Sequence, residues 1–243
     1  MLGCTLFAEA KSRQREDSDD IIEIRIEERA AKLVMNSMCK VTYVQSSRNR
    51  VQLIGASFKS CAKGVKINNA TIYLNEGTNM VDEVKIYAPG VTVFVLNGMG
   101  ELHCAEFNGP SLNINLNGMS DVDFDNIAVT ALTLNGNGSA DFECKKLKAE
   151  QVNINQNGMC SMRFQELKST TLDASSNGMG EIKCKDIDVK RTKLSVNGQA
   201  TIDVEGTSDT ATYILSGMGD INAKKLKARY VKKIDNRDDW LKD

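Results

Sequence analysis

Carboxylates are the residues of this chain best placed to do chemistry. Glu101, Asp121, Asp141, Glu181 and Asp220 recur at one position of a repeating pattern. Asp121, Asp123 and Asp125 alternate along one short run, as do Asp141 and Glu143. Two carboxylates about 5 Å apart cleave glycosidic bonds with retention, and clusters of oxygen ligands hold calcium. The neighbouring positions argue against both. His103, Asp123, Glu143, Arg163, Lys183 and Asp203 share the next outward position and mix their signs, as a solvated face does. No catalytic, cofactor-binding or metal-ligating residue is assigned, no cofactor is expected, and the chain reads as a non-enzyme.

The thiols lead to the same place. Seven cysteines occur with no CxxC pair, and His103 is the single histidine, so a zinc site lacks ligands. Cys104, Cys144 and Cys184 lie forty residues apart, with Phe124 and Phe164 between them at the same phase. If each twenty-residue period is one coil of stacked strands, neighbouring cysteines stand two rises, about 10 Å, apart, too far for the ~5.5 Å of a disulfide. They read as core thiols. Cys160 and Cys39 replace small residues in a tight position and also read as structural, while Cys61 has no assigned place. His103 precedes Cys104, and strand alternation points the two side chains apart, so they form no dyad. The basic run Lys224, Lys225, Lys227, Arg229, Lys232 and Lys233 would suit an anionic glycan or lipid, but its ordinary reading is the solvated face of an end coil.

What must hold these residues is a repeat. An Asn-Gly pair, or Ser-Gly in the last copy, recurs at Asn97-Gly98, Asn117-Gly118, Asn137-Gly138, Asn157-Gly158, Asn177-Gly178, Asn197-Gly198 and Ser216-Gly217, at spacings of 20 and finally 19. Five, seven and ten residues beyond each Asn lie apolar columns, such as Leu102, Val122, Phe142, Met162, Ile182, Ile202 and Ile221, broken only by Thr207 in the last column. Further apolar positions precede the turn, as in Leu112 with Ile114 and Leu132 with Leu134. Steps of two are strand alternation and steps of three are corners. One coil cannot bury its own apolar side, so coils must stack, and parallel crossovers are right-handed. The pattern predicts an all-β, right-handed parallel β-helix with three-sided coils of about 20 residues, regular over 91–230 within a domain spanning 21–234.

The turn ladder reads as structural, with Gly chosen for positive φ and Asn for side-chain bonds along the axis. The methionines that follow, Met99, Met119, Met159, Met179 and Met218, are either an exposed apolar stripe or gap-filling core, and the packing reading is preferred. Asn36-Ser37-Met38-Cys39 is an earlier copy and reads as an N-terminal coil. Between about 56 and 83 the phase is poor, with a hairpin expected around Asn68-Asn69.

The ends are less regular. Residues 1–10 (MLGCTLFAEA) read as the remnant of a truncated signal peptide, and Leu2-Gly3-Cys4 has a lipoprotein look, though a lipid anchor at Cys4 is the lesser reading. Residues 11–20 read as a polar tether, and 235–243 as a tail or cap. No apolar stretch is long enough for a transmembrane segment. A net charge of −1 gives no electrostatic basis for nucleic acid. Expected partners are an extracellular glycan or protein, or further copies of the chain, in an exported location.

From about Asp20 to Lys227 the chain resembles the auto-transporter adhesin head GIN domain family. The features that carry the likeness are AAKLVMNSMCKVTYVQSSRNRVQLIGA (Ala30 to Ala56), VKIYAPGVTVFVLNGMGELHC, and the turns ending in SGMGDINAKKLKA. The family more often turns through Gly-Ser-Gly, where this chain uses Asn-Gly-Met-Gly. The resemblance implies a β-helical fold, an envelope location and an adhesive role, and supplies no catalytic residues. A self-associating envelope scaffold is the alternative, and a polysaccharide-processing enzyme a distant third.

Overall fold

The structure is a computed structural model, and it describes residues 11–12, 21–56 and 59–237. The leader-like segment with Cys4, most of the tether, and Trp240 and Leu241 of the tail lie outside the described residues. Lys11 and Ser12, read as part of the tether, form a short strand antiparallel to Ile22 and Glu23.

Period-two alternation sets the elements. Strands Glu101–Leu116, Asp121–Gly136, Ser161–Ser176, Glu181–Val196, Thr201–Leu215 and Asp220–Asp235 each wrap most of one coil, and one further coil is split into Asp141–Lys148 and Gln151–Gln156. Each residue pairs in parallel with the residue twenty positions on, as in Leu102 with Val122, Val122 with Phe142 and Phe142 with Met162. Within Glu101–Leu116, buried and open positions alternate except at 105–106 and 110–111, where adjacent residues both face outward. These phase resets and the Asn-Gly turn are the three corners of the coil. The fold is the all-β solenoid of ~20-residue coils that the periodicity predicts.

The interior is filled by the stacked columns. Tyr43, Phe94, Phe124, Phe142 and Phe164 form a chain of rings with centroids 5.1, 6.1, 6.0 and 5.4 Å apart, each contact worth about 0.5–1.5 kcal/mol beyond burial. Cys104, Phe124, Cys144, Phe164 and Cys184 share one buried register line, small thiol alternating with large ring. Two inward columns carry little apolar signal in the sequence. One holds Gly109, Val129, Ala149, Ser169, Val189, Ser208 and Ala228. The other holds Leu116, Gly136, Gln156, Ser176 and Val196. In the latter, buried Gln156 donates to the Cys160 carbonyl at 2.9 Å and accepts from Ser176, so the polar core position is satisfied.

Thr207 does not occupy the apolar column assigned to it. The short coil loses its residue before position 206, so Gly206 pairs with Ile187 and Thr207 with Asp188. Gly206 has φ +129°, and a Cβ there would stand 2.3 Å from the Ile187 carbonyl oxygen. The deletion is absorbed where only glycine fits.

The N-terminal coils stack out of chain order. Lys32–Met35 lies between Thr71–Leu74 on one side and Val93–Leu96 on the other. The Asn36 copy is therefore the second coil of the stack, and 71–88 is the outermost. Val65–Asn68 pairs antiparallel with Thr71–Leu74 as the expected hairpin, with Asn69 and Ala70 at φ 48° and 56° in its turn. Ile21–Arg25, Arg50–Ile54 and Glu83–Ala88 form an antiparallel set over the other face. At the far end the last coil places Lys233 and Asp235 in register with Tyr213 and Leu215, in columns that earlier coils fill with Ile154, Leu194 or Val196. The apolar core thus ends on charge, as a solenoid end requires.

Candidate binding surfaces

The turn corner is the most regular surface. Asn36 donates to Asn75 Oδ1 at 2.9 Å, Asn97 to Asn36 at 2.9 Å, Asn117 to Asn97 at 2.9 Å, Asn137 to Asn117 at 3.0 Å, Asn157 to Asn137 at 3.1 Å, and Asn177 to Asn157 at 3.1 Å. Each asparagine of this series is both donor and acceptor except at its ends. Asn197 makes no such bond among the described residues, and Asn236 donates to Ser216 Oγ at 3.0 Å in the last pair. Asn75 and Asn236 are followed by Glu76 and Arg237 and so fall outside the Asn-Gly repeat, although T-I-Y-L-N (71–75) and K-K-I-D-N (232–236) carry the same lead-in spacing. A second, half-buried series runs from Asn115 through Asn135 and Asn155 to Ser175.

The turn glycines are needed for a different reason than expected. Among the described glycines positive φ occurs only at Gly55, Gly77 and Gly206, so Gly98, Gly118, Gly138, Gly158, Gly178, Gly198 and Gly217 have ordinary backbone angles. The constraint is contact between coils. The Met159 N–H donates to the Gly138 carbonyl at 2.9 Å, and this brings the next glycine directly over that oxygen. A Cβ on Gly158 would lie 2.0 Å from Gly138 O, and one on Gly118, Gly178 or Gly198 would lie 2.0, 2.0 or 2.2 Å from the oxygen before it. Real contacts of this kind stay above 3.0 Å.

The methionines also depart from expectation. Met38, Met99, Met119, Met159, Met179 and Met218 are 49–79 % exposed, so they form an outward ridge and fill no core gap. The inward positions beside the turn are already taken by the small column of Gly100, Ser120, Ala140 and Cys160. Near the Asn36 coil the ridge borders a shallow groove of about 500 Å³ lined by Met38, Met99, Met119 and the ladder asparagines.

The remaining candidates stay apart chemically. Burial pushes the Cys104, Cys144 and Cys184 thiols up to about 12 and also raises Cys39 and Cys160, which leaves no nucleophilic thiolate among these five. Cys61 is buried as well. On the acidic face Lys145 bridges Asp125 at 2.7 Å, and His103 Nε2 lies 3.8 Å from the same carboxylate. Asp123 is held above the usual carboxylate range by partial desolvation and then by Glu143. Among the described residues no group of three or more metal-ligating side chains converges.

The family model described as "putative auto-transporter adhesin, head GIN domain" matches residues 31–184 and 152–233. The chain belongs to this family. Three solved structures share the GIN-type fold. A putative adhesin from Bacteroides fragilis is 19 % identical with a TM-score of 0.60, the match covering 90 % of this chain and 97 % of that one. A putative lipid binding protein from Parabacteroides distasonis is 14 % identical with a TM-score of 0.64, over 85 % and 97 %. A putative adhesin from Parabacteroides merdae is 14 % identical with a TM-score of 0.62, over 90 % and 97 %. No protein of curated function matches the GIN domain described here. At these identities the neighbours establish the fold and nothing finer.

Proposed function

We propose that this GIN domain is an exported, non-catalytic binding module of the adhesin-head type, working at the cell envelope or beyond it. It engages its partner along the side of the solenoid by repeated weak contacts, and the Asn-Gly ladder serves as the scaffold of that side. The observation that carries this reading is the methionine ridge. A row of soft apolar side chains held in water on most coils, interrupted at Ser139 and Gln199, is costly to display without a contact to make. Repetition at the coil rise of about 4.8 Å suits many weak contacts in parallel. End-to-end scaffolding is less favoured, because Lys233 and Asp235 put charge where another coil would have to stack.

The ridge is tested by retention of domain-coated beads on mucin, polysaccharide and extracellular-protein surfaces. The variant is Met99→Ser with Met119→Ser and Met159→Ser. Serine already stands at the equivalent position 139, so the fold tolerates it. Wild-type beads are expected to be retained on at least one surface and the triple variant to be released. Retention on none, or release of cleaved glycan by the wild type, overturns the reading.

A further inference from the structure

A second corner of the coil carries a groove that the turn ridge does not explain. Its floor is the column of small residues Ala149, Ser169, Val189 and Ser208, and this shortness makes the corner concave. Its walls rise on both sides: Lys148, Lys168, Asp188, Thr207 and Lys227 on one, Thr170, Lys190, Asp209 and Arg229 on the other. The groove measures about 610 Å³ and lies open along the solenoid axis. It crosses five coils, roughly 19 Å at the usual strand spacing.

Charge is concentrated there. Five cations face two carboxylates in the groove, in a chain whose net charge is −1. Three lysines elsewhere are bridged from coil to coil, Lys145 to Asp125, Lys193 to Asp173 and Lys225 to Glu205. In the groove Arg229 reaches Asp209 at 3.6 Å, whereas Lys148, Lys168, Lys190 and Lys227 have no ion-pair partner among the described residues. Four ammonium groups at the edges of one concave strip attract an anion from outside the chain.

The lining selects the kind of anion. Asp188 and Asp209 sit between the lysines, so a polymer with a phosphate at every unit would set charge against them. A polymer whose carboxylates are separated by neutral hydroxylated rings would not. Ser169, Thr170 and Thr207, with the two aspartates, offer partners for sugar hydroxyls. No aromatic ring lines the groove, so stacking of nucleobases has no platform. A flat bilayer meets the walls and cannot reach the floor. We infer that this corner groove binds a linear acidic polysaccharide, its carboxylates on Lys148, Lys168, Lys190 and Lys227. The inference rests on the binding-module reading and names its ligand class and a site distinct from the ridge.

Polygalacturonate is the probe, titrated calorimetrically into the full chain, with dextran as the neutral control and phosphatidylglycerol vesicles as the lipid arm. The variant is Lys148→Gln with Lys168→Gln, Lys190→Gln and Lys227→Gln, all at exposed positions. Wild type is expected to bind polygalacturonate, weaken steeply with salt, and ignore dextran. The quadruple variant is expected to bind at least about tenfold more weakly, while Lys145→Gln with Lys193→Gln, on other faces, binds as wild type does. No polygalacturonate binding, equal loss in the two lysine variants, or binding to vesicles in place of the polymer each overturns the inference. If those results come with beads still retained and the ridge variant released, the binding-module reading survives and the groove assignment alone is lost.

Discussion

Adding one methyl group at a turn glycine separates two explanations of the repeat. In Gly158→Ala the new Cβ is placed 2.0 Å from Gly138 O and 2.7 Å from the Asn137 carbonyl group, against a working minimum of 3.0 Å. The coils must part by about an ångström at that corner. Overpacking of this kind costs about 1–3 kcal/mol, and stretching the 2.9 Å bond from Met159 N to Gly138 O removes up to about 1 kcal/mol more. The sum is about 1–4 kcal/mol, and in a domain of this size each kcal/mol lowers Tm by about 2–4 °C. Gly109→Ala is the matched control: its Cβ meets only Phe107 Cε1 at 3.6 Å, an ordinary contact, and loss of chain entropy in the unfolded state makes it neutral or slightly stabilising. Calorimetric melting of both variants should show a clear drop for position 158 and none for 109. Gly158→Asn adds a further distinction. Asparagine tolerates positive φ, so it would rescue a turn chosen for φ, whereas a turn chosen for close approach is as damaged by Asn as by Ala. Equal Tm for the two alanine variants, or rescue by Asn, refutes the close-approach argument.

Two more predictions follow from the core and its end. Burial holds the Cys104, Cys144 and Cys184 thiols at about 12, so the folded chain keeps protons that the unfolded chain releases near the ordinary value of 9.0. Their contribution is therefore whole below pH 9 and is lost as pH rises toward 12, at up to about 1.4 kcal/mol per pH unit for each thiol; urea melts between pH 8 and 11 should fall more steeply for wild type than for the triple Cys→Ala variant, and parallel slopes would refute the assignment. Lys233→Leu with Asp235→Val restores apolar character to two core columns on the last coil, and sedimentation should reveal concentration-dependent association absent from the wild type; an unchanged sedimentation coefficient would show that these charges do not guard the end.

The periodic part of the fold was legible because its apolar columns repeat faithfully. Val122, Phe142, Met162 and Ile182 announce an inward column whatever their shapes. The column of Gly109, Ala149, Ser169 and Ser208 was not legible, because small and polar residues carry no hydropathy signal although the corner needs them. That column is the groove floor, so the same property that hid it from the sequence makes the surface concave. Methionine direction was hidden for a related reason. The residue is apolar in either setting, and only its neighbour in the small column, such as Gly100 or Ser120, decides that no inward space remains. The non-sequential placing of the Asn36 coil depends on a pairing between residues 35 and 74, and no period links those positions.

The two surfaces differ in how they tolerate change. A turn glycine sits against the carbonyl of the glycine in the coil before it, so a side chain added there presses on the neighbouring coil. The ridge and the groove walls project from the same coils with little across the register beyond the Arg229–Asp209 pair, and Ser139, Gln199, Asp188 and Thr207 already interrupt their columns. Rigid spacing is thus fixed by the backbone at one corner, while side-chain chemistry can vary at the others. For the binding role proposed above, that separation suits an extended repetitive partner, whose affinity would come from spacing and be adjusted one coil at a time.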